Sequence, residues 1–382
     1  MANYDYEIVN GRKIRVRPKE TVSEIDKNGY FRRQPNHFTT PFGDGENDLK
    51  AEGNKRYRLV WAKLCHWSNR AAIVRELEGL EDQISVNMVE HAPHEKNLGW
   101  EYVYNENNID PMLGDQFLSE AYYRADDDYQ GRTTVPALID TTTGKVVNND
   151  YNWLTTYFEV NFRPWHKKGA PELYPVELRE EIDKMNLWLF DNINNAVYRS
   201  SFSRSNEGHF DGVNTFYAAM DRLEKRLETN RFLFGDYVTH SDIPMYVTLA
   251  RLDIRYTAQL GETKRPLYTY KNLWGYAKEL WEIPAFAHHT DFAAIIRQGR
   301  IEGEEDGFRA STHYDLALPK IDWDAQWKVS TERAYLSSDP THPIYLGNNR
   351  RFDIDPTWYD LGAESPKKEE KETPPSCGCC CG

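Results

Sequence analysis

Residues 1–55 show no sustained apolar period. Pro, Gly, Asn and charge dominate them, and only short stretches such as 13–16 have strand character, which predicts an extended arm wrapped on a folded domain. Regular patterning begins at 58–64 (RLVWAKL), apolar enough for a buried strand, and continues at 69–77 (NRAAIVREL), where Ala72, Ile73 and Leu77 fall at helical spacing. Residues 83–89 (QISVNMV) are β-rich and follow a short acidic turn, completing a βαβ unit whose crossover is right-handed by general rule. A second helix is expected over 114–124. Residues 134–140 (TVPALID) and 145–148 then read as two short strands joined by a Thr143-Gly144 turn, with Pro136 at the mouth of the first.

The order β-α-β-α-β-β is that of a thioredoxin-like domain, placed at 56–165. From Glu177 onward the period becomes helical, over 179–198, 212–227, 241–256 and 270–280, so 170–330 is expected to be all-helical. The fold class is α/β plus all-α. Thr239-His240-Ser241-Asp242 ahead of an apolar run resembles a capping box with Asp in place of the usual Glu. Residues 331–363 form a C-terminal extension. The remainder, 364–382, contains KKEEKETPPS, which cannot bury a core and is expected to be disordered, and ends in a cysteine cluster.

Composition narrows the function. The chain has 382 residues, enough for two ordinary cores, and a net charge of -13 with no Lys/Arg cluster to track a phosphate backbone, which argues against nucleic acid as a partner. No uncharged apolar run approaches the roughly 20 residues that span a bilayer, and MANYDYEIVN lacks the features of a signal peptide, so a cytoplasmic location is expected. Cys65 stands alone among the first 376 residues and has no internal disulfide partner, in keeping with that compartment. Cys377, Cys379, Cys380 and Cys381 crowd the end. They could bind a soft metal, accept palmitoyl groups, scavenge oxidants or simply occupy a flexible tail, and no zinc-finger spacing accompanies them.

Cys65-His66-Trp67-Ser68 sits at a strand-to-helix turn, where free backbone N–H groups and the helix dipole stabilise a thiolate. The alternative is a small buried hydrophobe. Ser68 stands where a dithiol redox protein has its second cysteine, so a disulfide formed at Cys65 has to be opened by an external thiol; Ser68 could equally be a helix N-cap. His66 could pair with Cys65 or fill space. Val135-Pro136, a proline opening a strand beside a thiol turn, suggests a cis peptide whose backbone groups face a bound thiol peptide, or else an edge-strand proline.

Residues 56–79 (RYRLVWAKLCHWSNRAAIVRELEG) resemble the segment around the Cys-Pro-Trp-Ala-His-Arg motif of the Xi-class glutathione transferases, the glutathionyl-hydroquinone reductases, with Cys65, Trp67 and Arg70 matching. The likeness continues through Asp110-Pro111, 129–132, 134–136, 147–150, 194–199 and 251–253. The resemblance implies a thioredoxin-like domain, an all-helical glutathione-transferase domain, a homodimer, and glutathione as co-substrate with no metal in the folded domains. It also implies that Cys65 attacks the sulfur of a glutathionyl-hydroquinone, expels the hydroquinone, and is freed from the mixed disulfide by a second glutathione. Carried over residue by residue, Trp67, Arg70, Trp100, Val135, Pro136 and Asp150 would line the glutathione and substrate site. Tyr198 and Tyr256 would hydrogen-bond the hydroquinone oxygen and protonate the leaving carbanion.

The chain departs from that pattern at His66, Ser68 and Asn69, which replace Pro, Ala and His, and at Asp150-Tyr151, which replaces Glu-Ser. The family's third tyrosine has no counterpart in Gln298-Gly299-Arg300, and 302–314 looks rebuilt. These departures leave room for another low-molecular-weight thiol or a differently shaped aromatic conjugate. They also leave two rival readings: an Omega-like thiol-disulfide oxidoreductase or conjugating transferase using the same cysteine, and a transferase-like scaffold that binds without catalysis. A scaffold would have no need of a reactive thiol.

Overall fold

The computed structural model describes residues 4–17, 23–91, 98–261, 265–297 and 320–338. Its four-stranded sheet has the order β4-β3-β7-β8, with β3 at Tyr57–Trp61, β4 at Ile84–Met88, β7 at Ala137–Asp140 and β8 at Lys145–Asn148. β3 runs parallel to β4 and antiparallel to β7, in registers that place Tyr57 opposite both Ile84 and Asp140. All five β3 residues are buried, as its unbroken apolar run requires of a central strand. Helix α1 (His66–Glu78) crosses between β3 and β4, and α2 (Leu118–Ala125) precedes β7, so the expected β-α-β-α-β-β order is realised.

α2 starts four residues later than its pattern suggested because Asp110 organises the preceding loop. Its Oδ1 accepts from Met112 N and Leu113 N at 2.8 and 2.9 Å. Glu120 Oε1 then reaches back to Gln116 N and Phe117 N at 2.7 and 3.0 Å and starts the helix. β7 is likewise shorter than expected, because Pro136 has no N–H to give the ladder and pairing begins only at Ala137.

In the helical half α4 (Arg179–Leu189) passes through a π turn (Phe190–Asn194) into α5 (Ala196–Phe202), where one helix ending at Tyr198 was expected. Long α6 (Asn206–Arg226) packs on α5 closely enough that a Cβ at Gly212 would lie 2.4 Å from Ser200 N. α7 (Asp242–Arg251) is buried throughout and also ends in a π turn, Leu252–Tyr256, followed by α8 (Thr257–Gln259). α9 (Lys271–Trp281), α10 (Pro284–His288), α11 (292–297) and α12 (Trp323–Trp327) complete this half. The box before α7 is only half formed. Asp242 Oδ2 accepts from Thr239 N at 2.7 Å, but the Thr239 hydroxyl donates to the same carboxylate at 3.0 Å instead of capping the helix.

α1 is the hinge of the architecture. Every residue in it except Glu76 is buried, because the sheet lies on one side and α3 (Leu154–Val160), α7 and α10 pack around the rest. The arm contains a hairpin, β1 (Tyr6–Val9) and β2 (Arg12–Arg15), turned by Asn10-Gly11 with both φ angles positive, the signature of a two-residue turn. Beyond it Glu24 pairs with Arg132, Phe31 packs 5.4 Å from Phe202, and Phe38 N donates to Asn149 Oδ1 at 3.0 Å, so the arm touches both halves. Residues 298–300, 302–314 and the Cys377–Cys381 cluster lie outside the described residues.

Candidate active site

Cys65 ends the loop after β3 and is the N-cap of α1, with extended backbone angles (φ -82, ψ 117). Its own N–H bonds Ala62 O at 3.0 Å and its carbonyl accepts from Asn69 N at 3.0 Å. Ser68 is therefore not the N-cap. It lies one turn in, where its hydroxyl accepts from Ala62 N at 3.1 Å and sits 3.2 and 3.3 Å from the carbonyls of Ala62 and Cys65, pinning the thiol loop to the helix. Cys65 Sγ lies 3.8 Å from Val135 O, so the thiol and the cis Val135–Pro136 bond face each other across the end of the sheet. Cys65 as a whole is 8% exposed.

An aromatic and cationic wall flanks this thiol. The Trp67 ring lies 4.5 Å from Tyr151, 5.6 Å from Phe190 and 5.7 Å from Tyr198. Arg70 and Arg33 bring their guanidinium carbons within 4.6 and 4.5 Å of the same ring. Arg70 is buried, and burial pulls its pKa down to about 10. Tyr151 stacks on Phe190 at 6.2 Å, filling the space a serine would leave open.

Tyr198 comes from α5 and Tyr256 from the π turn after α7, and the two share a side-chain hydrogen bond. Tyr256 Oη also lies 2.8 Å from His66 Nδ1. His66 thus pairs with the tyrosine and not with Cys65. Burial, reinforced by Arg70, Arg251, Arg33 and Arg255, holds His66 well below its ordinary pKa and therefore neutral. Burial also holds Tyr256 well above 10, so it keeps its proton at neutral pH. π turns in both tyrosine-bearing helical segments fit their frequent use at functional sites.

In the sequence Arg251 is marked only by the 251–253 likeness. From α7 it reaches the thiol loop, donating from Nε to Leu64 O at 2.9 Å and from Nη2 to Lys63 O at 3.2 Å, while Nη1 bonds Val247 O at 2.8 Å. Arg33 went unnoticed because it lies in an arm with no periodicity to mark it. His66-Tyr256 could not be read either, since 190 positions separate the partners.

Trp100, on β6 (Trp100–Glu101), stacks 3.9 Å from His91 of β5 (Glu90–His91) and belongs to the same apolar cluster as Cys65, Trp67 and Val135. Asp150 is more engaged locally. Its Oδ1 accepts from Asn36 Nδ2 at 2.9 Å and Asn152 N at 3.0 Å, and burial pushes its carboxyl up. It organises the turn before α3, which begins at Leu154. Among the described residues no group of three or more His, Cys, Asp or Glu side chains could hold a metal, and no helix is long and apolar enough to cross a membrane.

Residues 197–279 match the family model for the glutathione S-transferase C-terminal domain. The chain is 34% identical over 280 residues to glutathione S-transferase omega-like 2 of Schizosaccharomyces pombe, covering 70% of this chain and 88% of the relative. It is 32% identical over 240 residues to the Escherichia coli glutathionyl-hydroquinone reductase YqjG, covering 63% of this chain and 73% of that one. The YqjG structure with glutathione bound superposes with a TM-score of 0.65 at 28% identity, over 80% of this chain and 97% of that one. The Xi glutathione transferase of Phanerochaete chrysosporium gives a TM-score of 0.66 at 32% identity, over 72% of this chain and 89% of that one. With a thiol at a helix N-terminus facing a cis-proline loop, beneath a helical half of transferase type, the chain belongs to the Xi class of glutathione transferases, the oxidoreductase family of the glutathionyl-hydroquinone reductases.

Proposed function

We propose that the protein reductively cleaves glutathionyl-hydroquinones or closely related aromatic thioethers. The Cys65 thiolate attacks the glutathionyl sulfur, forming a Cys65–glutathione disulfide as the sulfur–aryl bond breaks. The aryl carbon keeps the bonding electron pair and takes a proton from the Tyr198–Tyr256 pair. A second glutathione thiolate then attacks the mixed disulfide, giving glutathione disulfide and restoring Cys65. One thioether and one glutathione thus yield one hydroquinone and one glutathione disulfide.

The observation that carries this reading is the placement of Cys65 Sγ 3.8 Å from the Val135 carbonyl, beside an aromatic wall that contains the hydrogen-bonded tyrosines. In this reading Val135 and Pro136 present backbone to the cysteinyl part of glutathione, Trp100 and Asp150 hold its ends, and Trp67 with Arg70 bounds the aromatic group. Ser68 offers no second thiol, which favours release by an external thiol. A homodimer in the cytoplasm, with glutathione as co-substrate and no metal in the folded region, belongs to the same proposal.

Product analysis tests it. A glutathionyl-hydroquinone mixed with glutathione should yield hydroquinone and glutathione disulfide in equal amounts, and Cys65→Ser should abolish both. Accumulation of a new thioether from a quinone or other electrophile, without disulfide, would favour the conjugating transferase instead.

A further inference from the structure

Two guanidinium groups border the Cys65 site with no carboxylate among the described residues to neutralise them. Arg33 Cζ lies 4.5 Å from the Trp67 ring centre and 4.4 Å from that of Tyr198, and Arg70 Cζ lies 4.6 Å from the Trp67 ring. Arg33 donates Nε to Asn195 Oδ1 at 2.9 Å and leaves Nη2 buried without a partner. Arg70, only 6% exposed, leaves both Nε and Nη2 in that condition. Glu24, the carboxylate whose field reaches Arg33, is occupied by Arg132 Nε and Nη2 at 2.9 and 3.0 Å. The strongest influences that favour a charged Arg70 come from Tyr151, Tyr198, Cys65 and Tyr256, none of them a carboxylate.

Three other buried arginines, by contrast, have carboxylate or carbonyl partners. Arg58 pairs with Asp110 at 2.8 Å, Arg231 with Glu279 at 2.7 Å, and Arg251 donates all three nitrogens to carbonyls. Buried cationic groups without counter-ions are costly, and a fold tolerates them where a ligand brings the missing charge. Here they adjoin aromatic rings, which suit a flat ligand, and a guanidinium fork matches a carboxylate or phenolate oxygen.

We propose that Arg33 and Arg70 form an anion-recognition pair which selects, among the aromatic thioethers presented to Cys65, those carrying a negatively charged oxygen on the ring. The inference rests on the reading of Cys65 as the thioether site. It makes Arg33 a specificity-determining residue supplied by the N-terminal arm. The tripeptide carboxylates of glutathione are the other source of negative charge, and the test separates the two.

Equilibrium binding to the full-length Cys65→Ser protein, in which no bond is broken, is measured calorimetrically for S-(4-carboxyphenyl)glutathione and S-(4-carbamoylphenyl)glutathione. The tripeptide is the same and only the ring charge differs. The proposal expects the carboxylated conjugate to bind about tenfold more tightly or better, as one charge-assisted contact would give. Arg33→Gln should bring the ratio close to one, and Arg33→Lys should keep part of it. A ratio near one before Arg33 is changed, or equal weakening of both conjugates by Arg33→Gln, overturns the proposal and points to the tripeptide carboxylates or to the arm's packing. Failure of both conjugates to bind overturns it together with the glutathione reading, whereas binding without preference removes the anion pair alone.

Discussion

Cys65 owes its position to groups that the reaction leaves unchanged. Arg251 holds the two carbonyls just ahead of it, those of Lys63 and Leu64, so a change 186 positions away acts on the thiol loop directly. Arg251→Met should cost about 3–5 kcal/mol of stability, the scale of several charged hydrogen bonds lost in a buried place, and should alter the rate at which Cys65 is alkylated. Denaturant midpoints and iodoacetamide labelling check the two effects separately. Tyr256→Phe removes the hydroxyl shared with His66 and Tyr198. It should cost about 1–3 kcal/mol through the orphaned imidazole nitrogen. Loss of the proton donor should slow reductive cleavage by about 10²–10⁴-fold in kcat, with mixed-disulfide resolution by glutathione much less affected.

At the scale of elements, the strand, turn and helix around Cys65 were legible because buried β3 and the apolar spacing of α1 leave only the turn between them. The sequence leaves Ser68 open between the place of a second cysteine and a helix N-cap, whereas its hydroxyl spans Ala62 N, Ala62 O and Cys65 O from the first turn of α1. Ser68→Ala should therefore lower the urea midpoint by the equivalent of about 1–3 kcal/mol, more than an exposed cap would contribute, because Ala62 N is left unpaired in a buried place. The π turns were not legible. Residues 179–198 and 241–256 have unbroken helical periodicity, and one extra residue per turn changes which side chains face the site without disturbing the apolar count. The arm defeated prediction for the opposite reason: its contacts, such as Arg33 with Asn195 and Glu24 with Arg132, join residues of no common element. The local role of Asp150, whose Oδ1 accepts from Asn36 and Asn152, was not legible because Asn36 lies in the arm.

Over the whole molecule, α1 is held by ionisable contacts at its far end as well as by apolar packing. Glu78, its last residue, lies 2.9 Å from His166 Nδ1 in the segment leading to the helical half. Burial raises the Glu78 carboxyl to about 7, and the carboxylate raises His166 above its ordinary 6.5. Both folded values exceed the unfolded ones, so the folded state binds protons more tightly. Stability from this pair is full below about pH 4.5 and falls as pH rises through 7 and past the His166 titration. Urea midpoints followed from pH 5 to about 8.5 should show this decline, and Glu78→Gln should flatten it. The buried pair of Glu159 and His240, 2.7 Å apart, joins α3 to the entry of α7.

The central claim is that Cys65 takes up the glutathionyl group as the aromatic group departs, and single-turnover mass spectrometry of the full-length protein tests it most directly. With one equivalent of a glutathionyl-hydroquinone and no free glutathione, one equivalent of hydroquinone should be released and one glutathionyl group should map to the Cys65 peptide, with neither seen in Cys65→Ser. Hydroquinone release without that adduct, or an adduct confined to Cys377, Cys379, Cys380 or Cys381, would contradict it.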